Sequence, residues 1–246
     1  MNNQPSSRLS VNEMQKLAIG RSAIMQPAIF LLDEPLSNVD AAFRIHMRSE
    51  LKRLQRELQQ TMVYVTHDQT EAMSLADRIA VMDQGVLQQF GTPDEVYNAP
   101  RNVFVARFMG SPPMNLIEAT LRTDAGEAVL DLGAAGSLPI AAGEAVPIAA
   151  AGGRAVLGIR PEDIEIAVPD DRRTGLPARI DLVEPIGPRS IVHATAGDSQ
   201  IVIIGEKRLR LAPGTAVKLV MREYARRYFD ATSGVALVGR GSDGTA

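Results

Sequence analysis

The stretch Ile29–Asp40, IFLLDEPLSNVD, limits what this chain can fold into more than any other. Ile29 to Leu32 are apolar without alternation and run straight into two adjacent acids, Asp33 and Glu34. An unbroken apolar run of this length fits a strand buried on both faces, as in the parallel sheet of an α/β domain. Ligands of such sheets sit beyond the carboxyl ends of the strands, where both acids emerge. Pro35 ends the strand by denying the ladder an N–H. Asp40 then stands as an N-cap before a helical pattern. Two acids at the mouth of a buried strand suit a Mg²⁺ ligand (Asp33) and a base that polarises water (Glu34), as phosphoryl transfer to water requires. Alone, the pair reads more simply as strand-end and turn acids.

What flanks the stretch changes that balance. Met1–Arg8 is polar and reads as disordered. In Leu9-Ser10-Val11-Asn12-Glu13, Ser10 and Glu13 form a capping box, with helical spacing following at Met14, Leu17, Ala18 and Arg21. A helix start of this kind also offers N–H groups to an anion. After Asp40, the residues Met47, Leu51, Leu54 and Leu58 form one apolar stripe on a long helix spanning 41–60. Met62–Thr66 is a second apolar strand with His67 and Asp68 at its end, and Asp68 with Glu71 caps a short helix. Were the two strands adjacent, His67 would lie near Glu34. A hairpin follows, Arg78–Met82 and Val86–Phe90 around Asp83-Gln84-Gly85, then a capped helix start at Thr92-Pro93-Asp94-Glu95 and another helix over Val103–Met109.

The chain has 246 residues and a net charge of −3, which gives no general basic face for nucleic acid. It has no cysteine, hence no disulfide framework and no thiolate chemistry. No signal-peptide h-region stands near Met1, and the Ala-rich stretch Ala134–Ala151 is broken by Gly, Pro139, Glu144 and Pro147. Any membrane role therefore runs through partners.

Taken in order, these residues resemble the ATPase subunits of ABC transporters, in the sugar-importer branch typified by the maltose importer. LSVNEMQKLAIGRSA resembles the signature motif, IFLLDEP the Walker B strand and LSNVD the D-loop. VYVTHDQTEAM resembles the switch-histidine loop, and LADRIAVMDQGVLQQFGTPDEVYNAP the segment that follows it in importers. The resemblance implies a cofactor pair, ATP and Mg²⁺, with Asp33 helping to hold the metal through water. Glu34 would be the general base and His67 a γ-phosphate contact. Ser10, Val11, Asn12 and Glu13 would touch ATP held by a second ATPase subunit, identical or different, and Asp40 would sit at that dimer interface. Further implied partners are transmembrane permease subunits and, indirectly, a solute-binding protein, with no nucleic acid. The implied location is cytoplasmic, peripheral on the inner face of the membrane through the permease, and the implied cargo is a sugar or polyol.

Two departures qualify the resemblance. No GxxxxGK[ST] loop occurs, so the half of the nucleotide domain that cradles phosphates, with its base-stacking aromatic and Gln loop, is expected to be missing. Charge-assisted hydrogen bonds contribute ~1.5–3 kcal/mol each, so losing about four removes ~6–12 kcal/mol. A micromolar ligand is held by only about 8 kcal/mol. The chain alone is thus expected neither to bind nor to hydrolyse ATP, and to expose strand faces and edges that the missing half covers. Second, the usual LSGGQ reads Leu9-Ser10-Val11-Asn12-Glu13, so two glycines have gained side chains and a Gln has become an acid. That suggests one weak site of two, as in a heterodimer with a better-endowed partner, and leaves an identical or a different partner open.

Ser111-Pro112-Pro113 reads as a linker, dividing a partial nucleotide-binding domain (1–110) from a regulatory or dimerisation domain (111–246). Beyond it the apolar runs Ala155–Ile159, Ile164–Ala167, Ile180–Val183, Ile191–Ala194, Gln200–Ile204 and Ala216–Met221 alternate with turn residues, which reads as an all-β, OB-like barrel or pair. Gly158-Ile159-Arg160-Pro161-Glu162-Asp163 resembles the GIRPE segment of importer regulatory domains; Arg160 reads equally as a structural partner or a ligand contact. The fold expected is therefore α/β, the C-terminal part of a P-loop ATPase sheet with helices, followed by an OB-like β domain. The competing function is a non-catalytic regulatory fragment or truncated gene product using mainly that β domain. Binding of Mg-ATP separates the two.

Overall fold

A computed structural model describes residues 10–25, 27–37, 39–124, 126–206 and 210–237. The expectations for Met1–Arg8, and for Leu9 and Asn38 within their motifs, lie outside the described residues. The chain divides into two units, Met1–Ile79 and Ala80–Ala246.

In the first unit α1 (Val11–Ile24) is followed by β1 (Ile29–Asp33), α2 (Ala41–Leu58), β2 (Thr61–Val65) and α3 (Gln69–Leu75). The caps form where the sequence places them. Ser10 and Glu13 exchange backbone-to-side-chain bonds of 2.9 and 3.3 Å. Asp40 accepts from Phe43 N, and Asp68 accepts from Thr70 N and Glu71 N. The stripe on α2 packs inward through Met47 and Leu51, with Leu54 and Leu58 partly buried, against Phe30, Leu32 and Leu36. On α1 it is Ile19, not Met14 or Leu17, that reaches this core; both of the latter stay exposed.

β1 and β2 are parallel and in register, Ile29 opposite Thr61 through Asp33 opposite Val65. Burial of β1 alternates, contrary to the two-sided burial its composition implies: Phe30 and Leu32 are 2% and 9% exposed, but Ile29 and Leu31 are 55% and 74% exposed. Among the described residues the two strands pair only with each other, and α1 and α2 supply apolar cover to one face.

The second unit opens with the hairpin β3 (Ile79–Asp83) and β4 (Val86–Gly91), whose turn residues Gln84 and Gly85 both have positive φ. Helices α4 (Pro93–Asn98), headed by the Thr92–Glu95 capping box, and α5 (Val103–Phe108) follow. Then come β5 (Asn115–Asp124), β6 (Glu127–Asp131), β7 (Ser137–Pro139), α6 (Ala142–Ala150), β8 (Arg154–Ile159), β9 (Ile164–Ala167), β10 (Leu176–Ile186), β11 (Arg189–Ala196), β12 (Ser199–Glu206), β13 (Ala216–Met221), β14 (Arg227–Asp230) and β15 (Ala236–Leu237). They form a six-stranded sheet, β15-β14-β8-β5-β6-β7, and a five-stranded sheet, β12-β11-β10-β13-β9. The two share one core, with Ile117, Leu130 and Leu157 from the first against Ile180, Val192 and Leu219 from the second. Buried Asn115 crosses between them, donating to Val202 O and accepting from Val202 N, both at 2.8 Å. The OB-like β architecture expected from the apolar runs is present, with α6 added: Ala145 and Ile148 enter the core despite Pro147 in the same helix. Ser111-Pro112-Pro113 lies inside this second unit.

Candidate functional site

Parallel pairing brings the two strand ends to the same level. Glu34 N donates to Val65 O at 2.9 Å, continuing the ladder one residue past β1. Pro35 cannot continue it, and the chain turns back at Glu34, whose φ of 42° lies in the left-handed region. That conformation costs a residue with a side chain ~1–2 kcal/mol. The turn is held by Ser37, whose N and Oγ donate to Glu34 O at 3.2 and 3.0 Å. The result aims the Glu34 carboxylate at the end of β2, where His67 Nδ1 stands 3.0 Å from Glu34 Oε1. The adjacency that the sequence left conditional is thus met.

His67 is largely exposed, and its hydrogen bond to Glu34, followed by that carboxylate's charge, raises its pKa above the usual 6.5. A raised folded-state pKa stabilises the fold fully below the unfolded value and loses that contribution as pH climbs through the higher one. Accordingly, in an NMR titration of the chain the His67 imidazole is expected to have its midpoint above 6.5, and Glu34→Gln to move it back towards 6.5. A His67 midpoint that ignores Glu34→Gln would mean the contact is not populated in solution.

Asp33, at the very end of β1, is exposed and free to face a ligand. Among the described residues no group of three or more His, Cys, Asp or Glu side chains is placed to hold a metal by itself. One exposed carboxylate fits Mg²⁺, which takes one or two protein carboxylates and completes its shell with water and substrate phosphate.

The start of α1 is less hospitable to an anion. Ser10 N and Ser10 Oγ both donate to Glu13 Oε2 at 2.9 Å. These bonds, backbone first, lower the Glu13 pKa, so a negative charge is held at the helix N-terminus. Asn12 Nδ2 donates to Asp40 Oδ2 at 2.9 Å, tying the start of α1 to the cap of α2 within the chain. Asp40 is thereby spent on Phe43 N and Asn12, which lower its pKa in that order. Val11 heads the helix; its side chain lies outside what is described. The sequence-predicted residues therefore form two groups, Asp33–Glu34–His67 at the strand ends and Ser10–Asn12–Glu13–Asp40 at two helix starts.

Sequence reasoning missed Arg44. Its Nη1 donates to Asp68 Oδ2 at 3.3 Å and its Nη2 to Val39 O at 3.4 Å. Its position in a polar helix face gave no signal. Arg160 proves structural: it is buried, stacks 3.9 Å over the Tyr97 ring and donates to main-chain carbonyls.

Comparison with known proteins gives two family matches. The family described as "MalK OB fold domain" matches residues 110–164 and the "TOBE domain" family matches residues 157–229. The chain is 42% identical over 245 residues to the trehalose/maltose import ATP-binding protein MalK of Thermococcus litoralis, covering 96% of this chain and 64% of the relative. It is 43% identical over 226 residues to the sn-glycerol-3-phosphate import ATP-binding protein UgpC of Salmonella paratyphi A, covering 92% of this chain and 62% of that protein. It is also 40% identical over 231 residues to the ABC transporter ATP-binding protein y4oS of Sinorhizobium fredii, covering 94% and 60%. The chain thus spans about three fifths of the length of the relatives it matches.

Proposed function

We propose that this chain, similar over most of its length to the import ATP-binding proteins MalK and UgpC and matching the MalK OB fold and TOBE families in its β region, supplies the hydrolytic acids and the regulatory β domain of an ABC importer's ATPase subunit. The observation that carries this reading is the 3.0 Å contact between Glu34 and His67 beside Asp33 at two parallel strand ends. In it, Glu34 takes a proton from the attacking water as that oxygen bonds to the γ-phosphorus and the ADP oxygen leaves. His67 as an imidazolium, the form that the Glu34 carboxylate favours, donates Nδ1–H to Glu34 Oε1, holding the carboxylate in place, and presents Nε2–H to a phosphate oxygen. Asp33 and water would hold Mg²⁺, which when bound offsets the charge of the phosphates.

The group Ser10–Glu13 with Asp40 would face nucleotide carried by a second ATPase subunit. The capped and acidic start of α1 supports the reading that this chain contributes the weaker face of a heterodimer. Permease subunits would receive the motion at the cytoplasmic side of the membrane, and a solute-binding protein would deliver cargo to them. A sugar or glycerol-phosphate-like solute is the class that the relatives' names support, and a polyol is implied by the resemblance alone. Among the described residues no helix is long and apolar enough to cross a membrane.

The phosphate-cradling loop must then come from outside these 246 residues, and calorimetry tests that. The chain alone is expected to show no heat of Mg-ATP binding up to about 1 mM, a ceiling near 4 kcal/mol of affinity. Preceded by the P-loop segment of the Thermococcus litoralis relative and paired with a second ATPase subunit that carries an LSGGQ signature, it is expected to bind in the micromolar range and turn ATP over. Tight binding by the chain alone, or an extended protein that binds without turnover, would overturn the reading.

A further inference from the structure

Arg44 sits in the first turn of α2 and reaches the chain on both sides of that helix. Val39, whose carbonyl accepts from Nη2, belongs to the turn that leaves Glu34. Asp68, which accepts from Nη1, is bonded to His67 along the chain and caps α3. Behind it Glu71, 3% exposed, accepts from Tyr64 OH at 2.9 Å and Thr66 Oγ1 at 2.8 Å. Thr66 Oγ1 also accepts from Asp68 N at 3.0 Å, so the residues on both sides of His67 are bonded into this network, Thr66 by its hydroxyl and Asp68 by its backbone N–H. A carboxylate buried this deeply needs a cation, and Arg44 Nε lies 3.9 Å from Glu71 Oε1. That Nε is itself buried and without a hydrogen-bond partner, an uncommon condition in a folded protein. The guanidinium therefore stands between two carboxylates, bonded to one and short of the other.

We propose that Arg44 is a positioning residue for the Glu34–His67 pair, clamping the turn that follows Glu34 to the loop that carries His67. The guanidinium fork puts separate nitrogens on the carbonyl and on the carboxylate, where a lysine would have one nitrogen to serve both. A movement of the Val39 carbonyl draws the guanidinium with it, from Asp68 towards Glu71, and alters the loop on which His67 stands. The role rests on the hydrolytic reading of the pair, but its first test does not.

That test is the NMR titration of His67 in the 246-residue chain, with circular dichroism confirming that the helices persist. The charged groups facing His67 are Glu34, Asp68 and Glu71, all of which raise its pKa. Removing the Arg44 cation by charge alone strengthens the field of Asp68 and Glu71 and pushes His67 further up. Loosening the contact with Glu34 pulls it down towards 6.5. The two effects have opposite signs, so the direction decides. Arg44→Met is expected to lower the His67 midpoint, with Arg44→Lys recovering part of it. A rise, or no change in either folded variant, overturns the clamp. In an ATP-hydrolysing assembly the same Arg44→Met is expected to lower kcat roughly 10- to 100-fold, the scale of a misplaced reacting group, with KM for ATP little moved. A lowered His67 midpoint together with full turnover by Glu34→Gln would leave the clamp standing and remove the hydrolytic reading.

Discussion

Glu34→Gln is expected to lower ATP turnover of the assembled ATPase by roughly 10²- to 10⁴-fold, the usual contribution of a positioned general base. The substitution preserves shape, and the amide still meets His67, so nucleotide binding should survive. What is lost is the oxygen that can accept water's proton. Because that interaction matters only on the way to the transition state, kcat should fall while KM for ATP stays within a few-fold. His67→Ala, which removes the group holding the carboxylate, should cost less than the loss of the carboxylate itself. A kcat for Glu34→Gln within threefold of the parent would remove Glu34 as the base, however well placed it is against His67.

Arg160→Met is expected to cost the second unit about 3–5 kcal/mol of stability, measured by urea unfolding, from three carbonyls left without their donor at about 1–2 kcal/mol each. Arg160 is 2% exposed, and its desolvated guanidinium has a pKa lowered chiefly by burial. It remains there because the main chain meets it: Nη2 donates to Tyr97 O at 2.6 Å, and Nη1 donates to Ala106 O at 3.2 Å and to Met109 O. The three carbonyls belong to α4, α5 and the turn after α5, so one side chain at the end of β8 holds two short helices in place. Its Nη1 would also stand 2.8 Å from a Cβ at Gly110, where φ is +116°, so this turn admits glycine alone. Removing the cation leaves buried carbonyls unsatisfied, and Met restores only the packing. Arg160→Lys should recover little, since an ammonium cannot reach three separated acceptors. A loss under 1 kcal/mol for Arg160→Met would show that water replaces the lost donors.

Local chemistry was the most legible part of the sequence. The caps at Ser10, Asp40, Asp68 and Thr92 each depend on three or four successive residues, and each forms. The stripe on α2 was readable for the same reason. Long-range facts were not. Only the core of β10 was evident, as the apolar run Ile180–Val183, whereas the strand extends over Leu176–Ile186 and includes Pro177 and Pro185. The strand tolerates both, pairing Pro177 with Lys218 and Pro185 with Ser190. The Ala- and Gly-rich stretch around Pro147 was read only as too broken to span a membrane, and α6, which puts Ala145 and Ile148 into the core, was not foreseen. Glu34 and His67 could be named individually, but their meeting depends on the register of β1 with β2, which no single strand encodes. Arg44 was invisible since its three contacts come from segments read separately.

The uncovered side of β1 and β2 also determines how a preparation of this protein will behave in the tube. Ile29, Leu31, Val63 and Val65 put four large apolar side chains at the surface of one small parallel pair that, among the described residues, has no further strand on either edge. Such a surface recruits other chains, through edge pairing and through apolar contact. Collisions between copies grow with the square of concentration, so soluble yield should peak at modest expression and decline beyond it, while dilute samples stay clear. The β-rich second unit, whose core is shared by two sheets, has no such dependence built into that core.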